Sequence, residues 1–123
     1  MDINHLTLLT DLYELTMMQG YFKTGNDETV VFDVFYRDNP SGSGYAITCG
    51  LDQVIDYIKS LSFSYDDIDY LRNQGIFDED FLEYLAGYHF TGDIYAIAEG
   101  TVVFPREPLL KVKAPIMEAQ LVE

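Results

Sequence analysis

The residues whose types and spacing best suit contact with a ligand occur near the start of the chain, in the string TDLYELTMMQGYF. Asp11 and Tyr13 place a carboxylate and a phenol two positions apart. Neither residue falls on the stripe of helical spacing formed by Leu8, Leu12, Leu15, Gln19 and Phe22. An off-stripe tyrosine faces solvent, contacts a ligand, or lies at the edge of a core or an interface, and the last case is commoner than ligand contact.

Well-known catalytic motifs are absent from the rest of the sequence. There is no GxxxxGK[ST], and the glycine-rich string SGSG at 41–44 joins two predicted strands instead of a strand and a helix. His5 and His89 are not paired at HxxxH or HExxH spacing, and no serine or cysteine occupies a GxSxG motif. We therefore expect neither a metal site nor covalent hydrolytic chemistry.

Composition limits the classes of protein to which the chain can belong. Its 123 residues suit one domain, and 7 Lys plus Arg against 21 Asp plus Glu give a net charge of −14. A hydrophobic fraction of 48% argues against intrinsic disorder, and the acidic surface argues against nucleic acid and anionic membranes as partners. The single cysteine, Cys49, is expected to be a small buried residue. With no signal peptide and no long apolar run, we expect a cytoplasmic protein.

Hydrophobic periodicity and turn residues predict a mixture of helices and strands. Thr10 is expected to cap the first helix. Helices are predicted over about 10–22, 51–61, 64–74 and 78–87, and strands over 29–37, 45–49, 93–98, 101–104 and 109–114. The last three strands, with a Glu99-Gly100 turn between the first two of them, are expected to form one small antiparallel unit.

The C-terminal residues return to good helix formers after Pro115. The chain stops at Glu123 without a glycine or asparagine to end that helix. We therefore expect a domain over residues 1–115, and over 116–123 the start of a helix inside which the chain was cut.

Three separated strings closely resemble the amino-terminal region of bacterial nicotinate phosphoribosyltransferases. They are LLTDLYELTMMQGYF, VFDVFYRDNPSGSGYAITCGLDQVIDYI and FTGDIYAIAEGTVVFPREPLLKVKAPIMEAQLVE. They occur in the order and spacing of the family, and together they run essentially from residue 8 to residue 123.

This resemblance implies a hammerhead-type α+β domain that packs against a larger α/β barrel, and residues 116–123 would lead into that barrel. It implies an enzyme that converts nicotinate and 5-phosphoribosyl 1-diphosphate to nicotinate mononucleotide and diphosphate, with ATP and magnesium, as a homodimer. The histidine that ATP phosphorylates belongs to the barrel. We therefore expect this chain by itself to bind no cofactor and to be inactive.

The resemblance also suggests site residues. Tyr13 matches the aromatic residue that stacks on the pyridine ring in the neighbouring subunit, and Asp11 matches the adjacent acid. Arg37, in the string FYR, matches an arginine expected to reach phosphate groups across the interface. No catalytic residue is expected on this chain.

The residues alone leave two non-enzymatic alternatives. A biotin- or lipoate-carrier sandwich would present a lysine at the hairpin tip, where this chain has Glu99 and Gly100. An acidic protein-interaction module would use the stretch 66–83, which holds seven acids and one basic residue, Arg72. A solvated helical face is the ordinary explanation for such a stretch.

Overall fold

Helices and short strands alternate along residues 6–122, the part of the chain that the computed structural model describes. In chain order the elements are α1 (Leu12–Thr24), β1 (Thr29–Val34), β2 (Ala46–Ile47), α2 (Leu51–Ser60), α3 (Tyr65–Asn73), α4 (Glu79–Ala86), β3 (Asp93–Ala96), β4 (Val102–Val103), β5 (Leu110–Pro115) and α5 (Ile116–Val122). Most strand pairs are distant in sequence and antiparallel. The predicted α+β class is confirmed.

Strand β5 lies at the centre of the larger sheet, whose order is β1-β5-β3. Thr29 pairs with Pro115 at one end of the β1–β5 ladder and Val34 pairs with Leu110 at the other. Side chains of β5 alternate between buried and exposed because one face of the sheet packs on the core. Helix α5 begins directly after the ladder, where the Ile116 N–H donates to the Glu28 carbonyl at 2.9 Å.

The smaller sheet corrects the prediction of a single antiparallel unit after residue 90. Strand β4 pairs with β2 instead of β3, so Ala46 lies opposite Val103 and Ile47 lies opposite Val102. Ile47 and Val102 are 52% and 49% exposed, and the flanking Tyr45 is 54% exposed. The outer face of this sheet is therefore apolar and accessible to solvent.

The Glu99-Gly100 turn explains why β3 and β4 do not pair with each other. The Gly100 N–H donates to the Thr48 carbonyl at 2.9 Å. One Glu99 carboxylate oxygen accepts from the N–H groups of Gly50 and Leu51 at 2.7 and 2.5 Å. Gly50, with φ of 102°, caps α2 without a side chain. The turn therefore supplies the N-terminal cap of α2 and does not close a β3–β4 hairpin.

Helices α1, α3, α4 and α5 enclose the larger of two apolar clusters. Its fully buried side chains are Met18, Leu71, Phe81, Leu82 and Leu85. The ring centroids of Phe22 and Phe81 lie 5.7 Å apart. A smaller cluster covers the inner face of the larger sheet, with Val112 and Ala119 at its centre. These two clusters fix the helices to the sheet.

The start of α1 differs from the prediction in two ways. Asp11, and not Thr10, is the N-cap residue, and the helix begins at Leu12. The buried face carries Glu14, Leu15 and Met18, whereas Leu12, which the stripe placed inward, is 55% exposed. The reason is that α1 packs against α5, to which Glu14 is hydrogen-bonded.

Two smaller expectations are also wrong. Cys49 is exposed, because it lies in the connection between β2 and α2 instead of inside a strand. Strand β1 ends at Val34 and not at residue 37, because Tyr36 beyond it bonds to other segments. Within residues 6–122 no helix has both the length and the apolar character needed to cross a membrane.

Gly92 provides a test of how closely β3 approaches β5. A Cβ atom built at this position would lie 2.4 Å from Ala114 Cβ and 2.7 Å from the Lys113 carbonyl oxygen. Gly92→Ala should therefore lower the free energy of unfolding by about 1–3 kcal/mol, measured by denaturant unfolding. Gly44→Ala is the matched control, because its Cβ would meet nothing within 4 Å. Equal stability of the two variants would contradict the packing described here.

Glu99 provides a second test. Glu99→Ala removes the acceptor from the N-terminus of α2 and should cost about 1 kcal/mol of unfolding free energy. Glu83→Ala, which replaces an exposed acid on α4, should change it by less than about 0.5 kcal/mol. Thermal unfolding of both variants checks the difference, and a neutral Glu99→Ala would show that α2 does not depend on this cap.

Candidate functional site

An open cleft of about 590 Å³ lies at the start of α1. Its lining comes from the segment before α1, the first turn of α1, and the nearby parts of α2 and α5. The residues are Leu6, Leu9, Thr10, Asp11, Tyr13, Glu14, Tyr57, Leu121 and Val122. The cleft thus contains both residues of the DLY string that the sequence singled out.

Hydrogen bonds hold the segment that forms the rim of the cleft. The buried Thr7 donates its hydroxyl to the Ser62 carbonyl at 2.7 Å, which ties the segment to the residues after α2. The Leu9 N–H donates to the Leu6 carbonyl at 2.8 Å. The Asp11 carbonyl then accepts from the Glu14 N–H at 3.1 Å and starts the helix. These bonds place Asp11 and Tyr13 on an ordered rim.

Glu14, which lines the cleft, belongs to a buried polar pair. Gln120 on α5 donates its side-chain N–H to the Glu14 carboxylate, and the two residues are 4% and 6% exposed. Sequence reasoning missed Glu14 as a site residue. A signal was available, because Glu14 precedes Leu15 and lies one helical turn before Met18, on the face that packs inward. An acid on such a face requires a buried partner.

Tyr13 combines exposure with a fixed backbone. The residue is 55% exposed, and its carbonyl accepts from the Thr16 hydroxyl at 3.1 Å. Leu9 and Leu12 beside it are 72% and 55% exposed. This rim therefore presents aromatic and aliphatic surface outward, which suits stacking on a flat ring.

The charge of the cleft limits what can bind in it. Asp11 and Glu14 line it, and neither lysine nor arginine occurs among the described lining residues. The carboxylate of an aromatic acid would be repelled by these two groups. A ring can therefore stack at the rim only if its own carboxylate faces a cation from another surface.

The structure does not bring Arg37 into this cleft. Arg37 lies three residues beyond the end of β1, is exposed, and is absent from the described lining. Its neighbour Tyr36 anchors the segment, because the Tyr36 hydroxyl donates to the Val103 carbonyl at 3.0 Å and its own carbonyl accepts from the Arg106 N–H at 2.8 Å. Asp11 and Tyr13 thus lie together in this cleft, and Arg37 lies outside it.

Metal-ligating residues are scattered. No three His, Cys, Asp or Glu side chains within residues 6–122 come together in a way that could hold a metal ion. His89 is exposed, and its Nδ1 lies 3.3 Å from the Gly87 carbonyl oxygen. His5 lies outside the described residues.

The acidic stretch 66–83 covers the outer faces of α3 and α4. Arg72 within it donates to the Glu79 carboxylate, with Nε 3.0 Å from Oε2. This hydrogen bond is the main cause that lowers the pKa of the Glu79 carboxyl below its usual value. Ser64 and Asp67 form a capping box at the start of α3. Asp67 and Glu79 near the helix ends therefore have a structural explanation, because one caps α3 and the other is bonded to Arg72.

Comparison with known proteins gives a consistent result. Residues 8–123 match the sequence profile described as the nicotinate phosphoribosyltransferase (NAPRTase) N-terminal domain. A nicotinate phosphoribosyltransferase of Mycobacterium tuberculosis is 47% identical over 116 residues, which cover 94% of this chain and 25% of the relative. The Bacillus subtilis nicotinate phosphoribosyltransferase is 41% identical over 119 residues, covering 96% of this chain and 24% of the relative.

A solved structure shares the fold. The crystal structure of human nicotinic acid phosphoribosyltransferase superimposes with a TM-score of 0.82 at 30% identity, covering 92% of this chain and 23% of that one. The chain thus spans about a quarter of the length of the relatives that it matches. The profile match and these identities show that the chain belongs to the nicotinate phosphoribosyltransferase family, in which it corresponds to the N-terminal domain.

Proposed function

We propose that this chain serves as the N-terminal domain of an enzyme that joins nicotinate to 5-phosphoribosyl 1-diphosphate and releases diphosphate. The observation that carries the proposal is the 47% identity over 116 residues with a nicotinate phosphoribosyltransferase. The product, nicotinate mononucleotide, would enter NAD salvage. The exposed tyrosine on the ordered rim of the cleft supports the same function from the structure.

Tyr13 is proposed to stack on the nicotinate ring in the neighbouring subunit of a homodimer. Its 55% exposure leaves aromatic surface available to a partner. The acidic cleft beneath it would repel the nicotinate carboxylate, so the cation that faces this carboxylate has to come from another surface. Both features favour a ring held between two chains over a ring held inside this one.

Asp11 has a related role in this proposal. Its side chain makes no capping hydrogen bond to its own helix, and the residue is exposed beside Tyr13. The pyridine nitrogen becomes positively charged when it takes the ribosyl group. A nearby carboxylate and the face of an aromatic ring both stabilise such a cation. Asp11 and Tyr13 would thus favour the charge that develops during the transfer.

Arg37 is proposed to contact the phosphate groups of 5-phosphoribosyl 1-diphosphate. ATP is proposed as a further substrate, which phosphorylates a histidine outside this chain. Magnesium would neutralise diphosphate oxygens in the intact enzyme. The roles proposed for Tyr13, Asp11 and Arg37 do not depend on a metal held by this domain. A cytoplasmic location agrees with this chemistry and is part of the proposal.

Tyr13→Ala in the intact enzyme tests the role of the ring. Loss of the stacking face and of buried aromatic area should raise the KM for nicotinate about tenfold or more, in a steady-state assay of nicotinate mononucleotide. Tyr13→Phe should change it much less, because the stacking face survives. Tyr65→Ala, at a position that is 81% exposed on α3, is the matched control. An unchanged nicotinate KM in folded, dimeric Tyr13→Ala would make Tyr13 structural.

The activity itself has a direct test. The 123-residue chain alone should form no nicotinate mononucleotide and should hydrolyse no ATP, whereas the intact enzyme that contains it should do both. Chromatographic detection of the product with purified proteins checks the two expectations. Turnover by the chain alone, or an intact enzyme that makes no nicotinate mononucleotide, would contradict the proposed function.

A further inference from the structure

Two arginines that are distant in sequence lie side by side beyond the end of β1. The Arg106 N–H donates to the carbonyl of Tyr36, the residue before Arg37, at 2.8 Å. By covalent geometry the Cα atoms of Arg37 and Arg106 are then no more than about 7 Å apart. Both residues are exposed. Their guanidinium groups can therefore reach a single bound anion.

Three of the other five cations of this acidic chain form ion pairs, and within the described residues Lys59 and Lys113 do not. Among the seven Lys and Arg residues, all of which lie within residues 6–122, Lys23, Arg72 and Lys111 form ion pairs with carboxylates. No carboxylate oxygen of the described residues lies within 4.0 Å of Arg37 or Arg106. With a net charge of −14, two adjacent arginines without such a pair are a local exception.

The acids beside them do not neutralise this pair directly. Glu107 follows Arg106, but its carboxylate accepts from the Phe104 N–H at 2.9 Å and so closes the turn. Asp38 follows Arg37 and is exposed without a described ion pair. A multiply charged anion would compete with these single carboxylates for the guanidinium groups, which bind phosphate oxygens in pairs.

The backbone at the site is strained. Arg106 has φ of 68° and Ser41 has φ of 55°, and within the described residues these are the only non-glycine residues with positive φ. A left-handed conformation is less favourable for an ordinary L-residue than for glycine. The turn that contains Arg106 is bonded to Tyr36, and Ser41 lies four residues after Arg37. Glycine would adopt this conformation with less strain. The presence of an arginine here therefore indicates a role for its side chain.

We propose that Arg37 and Arg106 together form a phosphate-binding site, and that Arg106 is a substrate-binding residue not indicated by the sequence motifs. The ligand class is a diphosphate or a sugar diphosphate, because two planar guanidinium groups can donate hydrogen bonds to several phosphate oxygens at once. Naming 5-phosphoribosyl 1-diphosphate as the physiological ligand rests on the proposed function. The anion site itself rests on the geometry of the two arginines.

Arg106→Gly separates the two roles of this position. Glycine accepts positive φ without strain, so the variant should unfold at a higher temperature than the original chain. It also removes the guanidinium group, so it should bind inorganic diphosphate about tenfold more weakly in an NMR titration of the 123-residue chain. Lys59→Ala, which removes one exposed positive charge from α2, should leave diphosphate affinity nearly unchanged.

Further variants and assays identify the ligand and test the role of Arg37. Arg37→Ala should weaken diphosphate binding by a similar factor. Because both residues hold one anion, the loss of affinity in the double variant should be smaller than the product of the two single losses. In the intact enzyme, 5-phosphoribosyl 1-diphosphate should bind more tightly than diphosphate alone, and Arg106→Gly should raise its KM and leave the KM for nicotinate unchanged.

The outcomes distinguish this inference from the proposed function. Failure of the original chain to bind diphosphate, or equal affinity in Arg106→Gly, would overturn the site even if the intact enzyme makes nicotinate mononucleotide. Weakened diphosphate binding in Arg106→Gly, together with an intact enzyme that forms no nicotinate mononucleotide, would keep the anion site and overturn the proposed function.

Discussion

The pairing of β5 with two strands from distant parts of the chain is the constraint on which the other contacts depend. β5 holds β1 on one side and β3 on the other, and α5 follows it without a loop. The direction of α5 is therefore set by the ladder. Gln120 on α5 in turn holds Glu14 under the cleft. The position of the α1 rim thus derives from a strand register established about ninety residues later in the sequence.

The candidate site residues occupy two separate places with different physical characters. The rim of α1 offers aromatic surface above two carboxylates, which suits an uncharged or positively charged ring. The segments joined at Tyr36 offer two arginines, which suit phosphate oxygens. In the proposed function, this division keeps the acidic groups away from the phosphate groups. A mostly acidic domain can in this way contribute to binding a ring at one place and phosphate groups at another.

Local signals predicted some elements of this fold, and long-range contacts determined the rest. Helices α2, α3 and α4 follow the prediction to within about two residues, because glycines and a Ser64 cap mark their ends. The partner of β4 could not be read from the sequence, since it depends on Glu99 reaching Gly50 across 49 positions. Asp11 and Tyr13 stood out by spacing and lie together, whereas Arg106 became visible only through its backbone bond to Tyr36.

The apolar outer face of the β2–β4 sheet also affects how the domain behaves at high concentration. Ile47 and Val102 lie opposite one another there, and both are about half exposed. At neutral pH the surplus of 14 negative charges keeps copies of the domain apart by mutual repulsion, which gives colloidal stability. That repulsion vanishes near the isoelectric point, about 4.1. Mild acid should then precipitate the folded domain through these faces, at a pH set by surface charge and not by unfolding.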